Sequence, residues 1–131
     1  MRDPFGRVVR RCAIVTSGAP HAAYGAIHFD ETFTYDDGEV DIWRWALTCG
    51  ADGRYVAAEA AAGSGIVGER AGDDYVLSFR RPLGRAKGLT APTFNTRLTL
   101  LAPDLALKAV KISLFGAPIG AMTAIHRRIA A

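Results

Sequence analysis

The stretch DETFTYDDGEVDIWRW, Asp30 to Trp45, decides the fold. It reads as two alternating strands around a tight Asp-Gly turn, because Gly38 takes a positive φ without steric penalty and the aspartate before it bonds readily to its own backbone. On the incoming strand Ile27, Phe29, Phe33 and Tyr35 hold odd positions, and His28, Asp30, Thr32 and Thr34 hold even ones. A period of two belongs to a strand. Glu31 interrupts the apolar face, and a carboxylate there requires a hydrogen-bonding or charged partner. Two registers are open. With Asp37-Gly38 as a two-residue loop, Tyr35 faces Val40, Phe33 faces Ile42 and Glu31 lies opposite Arg44. With Asp36-Asp37-Gly38 as a three-residue loop and bulge, Glu31 faces Trp43 and Phe29 faces Trp45. Either register gathers an acid, an arginine and two tryptophans in one short region of sheet.

Working outward, strand patterns follow at about 7–16, 23–35, 39–48, 54–59, 65–70, 75–80, 96–102, 106–115 and 121–129, separated by turn residues at Ser17-Gly18, Asp37-Gly38, Asp52-Gly53, Ala71-Gly72-Asp73, Pro103-Asp104 and Gly116 to Gly120. No segment sustains a helical period with caps, although PDLALKAV from Pro103 could begin a turn of helix. About nine short strands in one small domain exceed what an open sheet accommodates without curling, so a barrel or sandwich is expected. The loop Arg81 to Asn95 is the longest unpatterned segment, a candidate to cover one end.

Composition agrees with one folded domain. The chain has 131 residues, half of them hydrophobic and 22% charged, enough for a core and too apolar for disorder. The net charge of +3 permits contact with anionic partners, but the thirteen arginines are scattered, and solubility accounts for them. The opening MRDPFGRVVRR lacks the apolar core of a signal peptide, and no apolar run is long enough to span a bilayer, so the sequence as written reads as cytoplasmic. Cys12 and Cys49 are isolated and read as buried free thiols, with a single bridge as the alternative in an oxidising compartment.

Motifs that could carry chemistry are weak. GSGIVG, Gly63 to Gly68, has dinucleotide-loop spacing but is followed by another strand instead of a helix. Its glycines therefore read as bulges or points of close approach. His21, His28 and His126 have no second ligand at metal spacing. Ser64, His28 and Asp30 lack a nucleophile elbow. Asp30 with Glu31, or Glu31 with Glu59, could form a carboxylate pair only if the fold joins them. Arg80, Arg81, Arg85 and Lys87 read as a solvated basic loop without the stacking aromatics that nucleic acid requires. No cofactor and no catalytic residue is expected.

The run DETFTYDDG with Trp45, then RYVAAEA with Gly63, Gly65, Gly68 and Gly72, then LFGAPIGAMTAIHRR with Phe115, Gly116, Gly120 and Thr123 resembles the bacterial family called domain of unknown function 3833. The resemblance covers nearly the whole chain. It implies one lipocalin-like antiparallel β-barrel over residues 1–131, no established activity, and a weak tie to lipid-like ligands. Members usually carry an exported N-terminus and a further stretch before the segment resembling RDPFGRVVRR. The resemblance therefore implies a missing first strand, an open sheet edge through which a homodimer could form, and an envelope or periplasmic location if the true start lies upstream. The family more often has arginine before an x-Trp pair, so the resemblance carries no role over to Arg44.

The expectation is an all-β single antiparallel barrel of about nine strands that binds a small apolar or amphipathic, lipid-like molecule without catalysis. Its ligand-binding residues would be Glu31, Arg44, Trp43, Trp45, Phe33, Tyr35 and Tyr55. An enzyme using Glu31 as acid or base, and an envelope-associated interaction module with peripheral membrane contact, are the alternatives. A filled interior would favour the module, and a second titratable group meeting Glu31 would favour the enzyme.

Overall fold

The computed structural model describes residues 1–21, 26–49, 54–82 and 91–128. They form nine antiparallel strands in one nearly closed barrel sheet: β1 (Cys12–His21), β2 (Ala26–Tyr35), β3 (Val40–Cys49), β4 (Arg54–Glu59), β5 (Gly63–Ala71), β6 (Asp74–Arg80), β7 (Thr93–Ala102), β8 (Leu105–Leu114) and β9 (Ala117–Arg127). The order in the sheet follows the order in the chain, an up-and-down meander. No helix occurs among the described residues, and Leu105 onward is strand, not a turn of helix.

The β2–β3 hairpin adopts the three-residue loop. The Gly38 amide donates to the Tyr35 carbonyl, and the Tyr35 amide donates to Glu39. Gly38 sits at φ 85°, which completes a turn with a bulge. Glu31 is therefore opposite Trp43, Phe29 opposite Trp45, and Asp30 opposite Arg44.

Three segments depart from the sequence reading. The Ser17-Gly18 turn does not form, because β1 runs on through His21 with Ser17 opposite Asp30 and Gly18 opposite Phe29. A continuous ladder outweighs local turn preference there. Gly116 to Gly120 is also mostly strand, since the turn is confined to Phe115-Gly116 and β9 begins at Ala117. Residues 7–11, expected as strand, instead belong to a folded-back N-terminal segment. Arg2 exchanges both backbone hydrogen bonds with Ala121 of β9, at 2.7 and 3.0 Å, and bridges to Val8 on its other side. This short piece spans the seam between β1 and β9 at one end only, and Met1 packs on the core beneath it. Of the Arg81 to Asn95 loop, residues 83–90 lie outside the described residues, and Thr93 to Asn95 are already β7.

Alternation sorts the side chains. Odd residues of β2 to β4 and β6, and even residues of β1, β5 and β7 to β9, point inward, where Phe33, Trp43, Trp45, Ala57, Ile66, Phe79, Phe94, Val110, Ile112 and Met122 form the core. The glycines of β5 act as anticipated. Gly63 and Gly65 take φ of 90° and 74° beside a register shift between Ala57 and Glu59. The Tyr55 ring lies over Gly68, where an added Cβ would stand 2.1 Å from a ring carbon. An aromatic ring covering a cross-strand glycine restores the packing that the missing side chain leaves out.

Candidate functional site

The interior has two unlike halves. One is filled by rings. Trp43 meets Phe94 edge-on at 5.4 Å and Phe79 edge-on at 6.0 Å, Trp45 meets Phe79 edge-on at 5.1 Å, and Phe79 stacks on Phe94 at 5.4 Å. Such offset and edge-to-face pairs are favoured over flat sandwiches. At the rim of this half Glu59, with a side chain 0% exposed, accepts from Arg81 Nε at 3.0 Å and from the Ala61 and Ala62 amides at 2.8 Å. The Arg81 guanidinium lies over Trp43 at 4.2 Å and reaches Asp41 at 3.5 Å. Asp41 also accepts from Trp43 Nε1 at 2.9 Å. Every charge in this group is answered, which is the condition for burying it.

The other half is polar at its centre and lined by partly buried side chains, of which Phe29, Leu47 and Leu77 pack against the core. Glu31, 4% exposed, accepts from Lys108 Nζ at 2.7 Å across the interior between β2 and β8. Lys108 also stands 6.0 Å above the Phe33 ring. His126 of β9, half-buried, faces the same interior and is in electrostatic reach of both. Burial pushes its pKa below the usual histidine value; Lys108 pushes it the same way and Glu31 opposes. His126 Nε2 is buried with no hydrogen-bond partner among the described residues, as is Trp45 Nε1. Around this centre the inward-facing Phe29, Leu47, Tyr55, Leu77 and Leu98 are only partly buried, while Ile27 and Tyr75 are 41% and 36% exposed. Tyr55 and Tyr75 are ring neighbours at 6.4 Å, and burial pushes the Tyr55 hydroxyl pKa up.

The expected site residues divide between these halves. Phe33, Trp43 and Trp45 are core. Tyr35 is half-buried beneath the Arg10 guanidinium, 3.5 Å from the ring centroid, and burial raises its pKa. Tyr55 faces the second half, and Glu31 is buried there. Its partner is not Arg44. With the three-residue loop, Arg44 points outward and lies 3.7 Å from Asp30, both half-exposed or more. The arrangement also leaves Asp30 outside the barrel, away from Glu31, and gives Glu31 and Glu59 separate cationic partners. His28 and Asp30 are outward and Ser64 is exposed on β5. The cysteines are free, but Cys49 is exposed and Cys12 only partly covered, because each sits near a strand end.

Three residues were missed as partners: Lys108, Arg81 and His126. Each carries a signal in the alternation. Lys108 shares parity with the apolar Ala106, Val110 and Ile112; Arg81 continues Leu77 and Phe79; His126 follows Met122 and Ala124. A charge on an apolar parity marks an inward position.

Two surface concavities lie elsewhere. One of about 510 Å³ is lined by the β2–β3 turn with Ala61, Arg81 and Pro82. The other, about 520 Å³, crosses the outer side of β5 to β8 and includes Glu69, Arg97 and Lys111. Neither contains Glu31, Lys108 or His126. Among the described residues, no group of three or more His, Cys, Asp or Glu is placed to hold a metal ion.

Comparison with curated proteins and with solved structures gave no match. The family model described as a protein of unknown function (DUF3833) matches residues 1–128, and the chain belongs to that family.

Proposed function

We propose that the protein binds a small amphipathic, lipid-like molecule in the open half of its barrel, without catalysis. The observation that carries this reading is the incomplete burial of an inward, apolar wall: Phe29, Leu47, Tyr55, Leu77 and Leu98 face the interior yet keep solvent contact. Apolar side chains directed into a barrel are ordinarily covered by the chain itself or by a ligand. A ligand tail would lie against this wall with its polar end toward Glu31 and Lys108. Of the residues expected to bind, Tyr55 and Glu31 fit this position, whereas Phe33, Trp43 and Trp45 would act as its floor.

Native mass spectrometry of the protein after incubation with a bacterial lipid extract tests the reading. A one-to-one complex with a small apolar molecule is expected. A protein that stays bare against every fraction would overturn it.

A second reading is favoured by one contact: Glu31 shares the interior with Lys108 and His126, as an enzyme using Glu31 as acid or base would need. Turnover of a water-soluble acyl ester, abolished in Glu31→Gln, would support it over simple binding.

A further inference from the structure

We infer that the polar end of the bound molecule is an aliphatic carboxylate, received between His126 Nε2 and Lys108. This rests on the binding function proposed above and names the chemistry of its ligand. His126 Nε2 is enclosed and has no partner among the described residues, so it lacks the one hydrogen bond a buried ring nitrogen requires. Lys108 Nζ has three donors, and Glu31 engages one of them at 2.7 Å. The two side chains approach from neighbouring strands, since Lys108 is opposite Ala124 and His126 opposite Ala106 on the β8–β9 ladder. A carboxylate answers both with separate oxygens, whereas a hydroxyl must bridge the two nitrogens with its one oxygen.

Charge balance narrows the class further. Glu31 and Lys108 neutralise each other, and an added carboxylate is an unpaired buried charge unless a cation appears with it. His126 supplies that cation by taking a proton from solvent, which places the proton on the imidazole and leaves the carboxylate ionised. The charged groups acting on His126 are Lys108 of β8 and Glu31 of β2, with the exposed Arg127 and Arg128 following it in the chain. A cationic head is disfavoured, because it would meet the Lys108 ammonium beside a ring whose protonated form burial, and then Lys108, already disfavour. Binding of the carboxylate is thus coupled to uptake of one proton, and affinity weakens as pH rises above the pKa of His126 in the complex.

The test compares dodecanoate, dodecan-1-ol and dodecyltrimethylammonium by titration calorimetry, each in two buffers of different ionisation enthalpy, from mildly acidic to mildly alkaline pH. Dodecanoate is expected to bind about tenfold or more tightly than the alcohol, as one charge-assisted hydrogen bond gives, with close to one proton taken up. His126→Gln should abolish the proton uptake and reduce the preference for dodecanoate over dodecan-1-ol. Equal binding of all three, or preference for the alcohol or the cation, would overturn the carboxylate assignment and leave the binding function standing. Dodecanoate binding without proton uptake would also overturn it, on the unaltered protein and without reliance on any variant. Failure of all three to bind would remove both.

Discussion

Phe94 and Leu98 lie one above the other on β7 and both face inward, yet they meet different surroundings. Phe94 is 3% exposed, stacked on Phe79 and edged against Trp43. Leu98, opposite both Tyr75 and Lys108, is only partly buried. The same alternation thus builds a half that is complete and a half that is not. Large rings bring enough area to close the cross-section by themselves. Aliphatic chains and two tyrosines do not. The charges follow suit: Glu59 and Arg81 are bound into a network with two backbone amides and Asp41, while Glu31 and Lys108 have each other and an unanswered histidine beside them.

The comparison is broken most severely at Glu59. Glu59→Ala leaves the enclosed Arg81 guanidinium without its main carboxylate and frees two amides, and should destabilise the protein by about 3–5 kcal/mol, read from the midpoint shift in urea unfolding. A shift no larger than that of an exposed ion pair would show that the packed half does not depend on this network.

At Lys108 the expected result depends on whether both partners change. Lys108→Met alone leaves Glu31 buried and uncompensated, at a cost of about 3 kcal/mol, whereas the double change with Glu31→Leu should return stability close to the parent or above it. A double-mutant cycle in urea measures this. If the double variant were as unstable as the single one, the pair would be holding the barrel together beyond its own charges. A stable double variant that no longer binds dodecanoate would assign the pair to function.

Gly68→Ala gives the smallest effect and gauges the room in the open half. The new methyl displaces the Tyr55 ring. In a loose interior the ring swings aside and the loss stays near about 1 kcal/mol, while a packed one would bring it toward about 3 kcal/mol. Thermal unfolding together with tyrosine fluorescence distinguishes the two.

The fold was legible because alternation repeats along the chain and needs only neighbours to be seen. Nine strands and most of their limits follow from it, as does a positive φ at Gly38. The register of the first hairpin was not legible, since Asp36-Asp37-Gly38 suits two loop lengths, and that single residue decides whether Glu31 meets Arg44 or Trp43. The identity of Glu31's partner was hidden for a different reason. Lys108 is 77 residues away, and only closure of the barrel brings it across. Arg81 was concealed by its company, because Arg80, Arg85 and Lys87 made a basic run that read as one solvated loop. Its parity with Leu77 and Phe79 was the better guide. The partly buried apolar wall has no signature at all in sequence, since Leu98 and Val110 look alike until the space between strands is known.

The short pairing of Arg2 with Ala121 has a consequence for the order of assembly. Every other ladder joins strands that are consecutive in the chain, so the sheet can zip from any hairpin outward with small loops to close at each step, the kind of topology that folds quickly. Joining Arg2 to Ala121 instead closes a loop of nearly the whole chain, whose entropic cost is returned only after the intervening strands are in place. The seam is therefore the last part to form and the first to open. Amide exchange at Arg2 and Ala121 should run ahead of exchange in the β2–β3 hairpin by the free energy of that one closure.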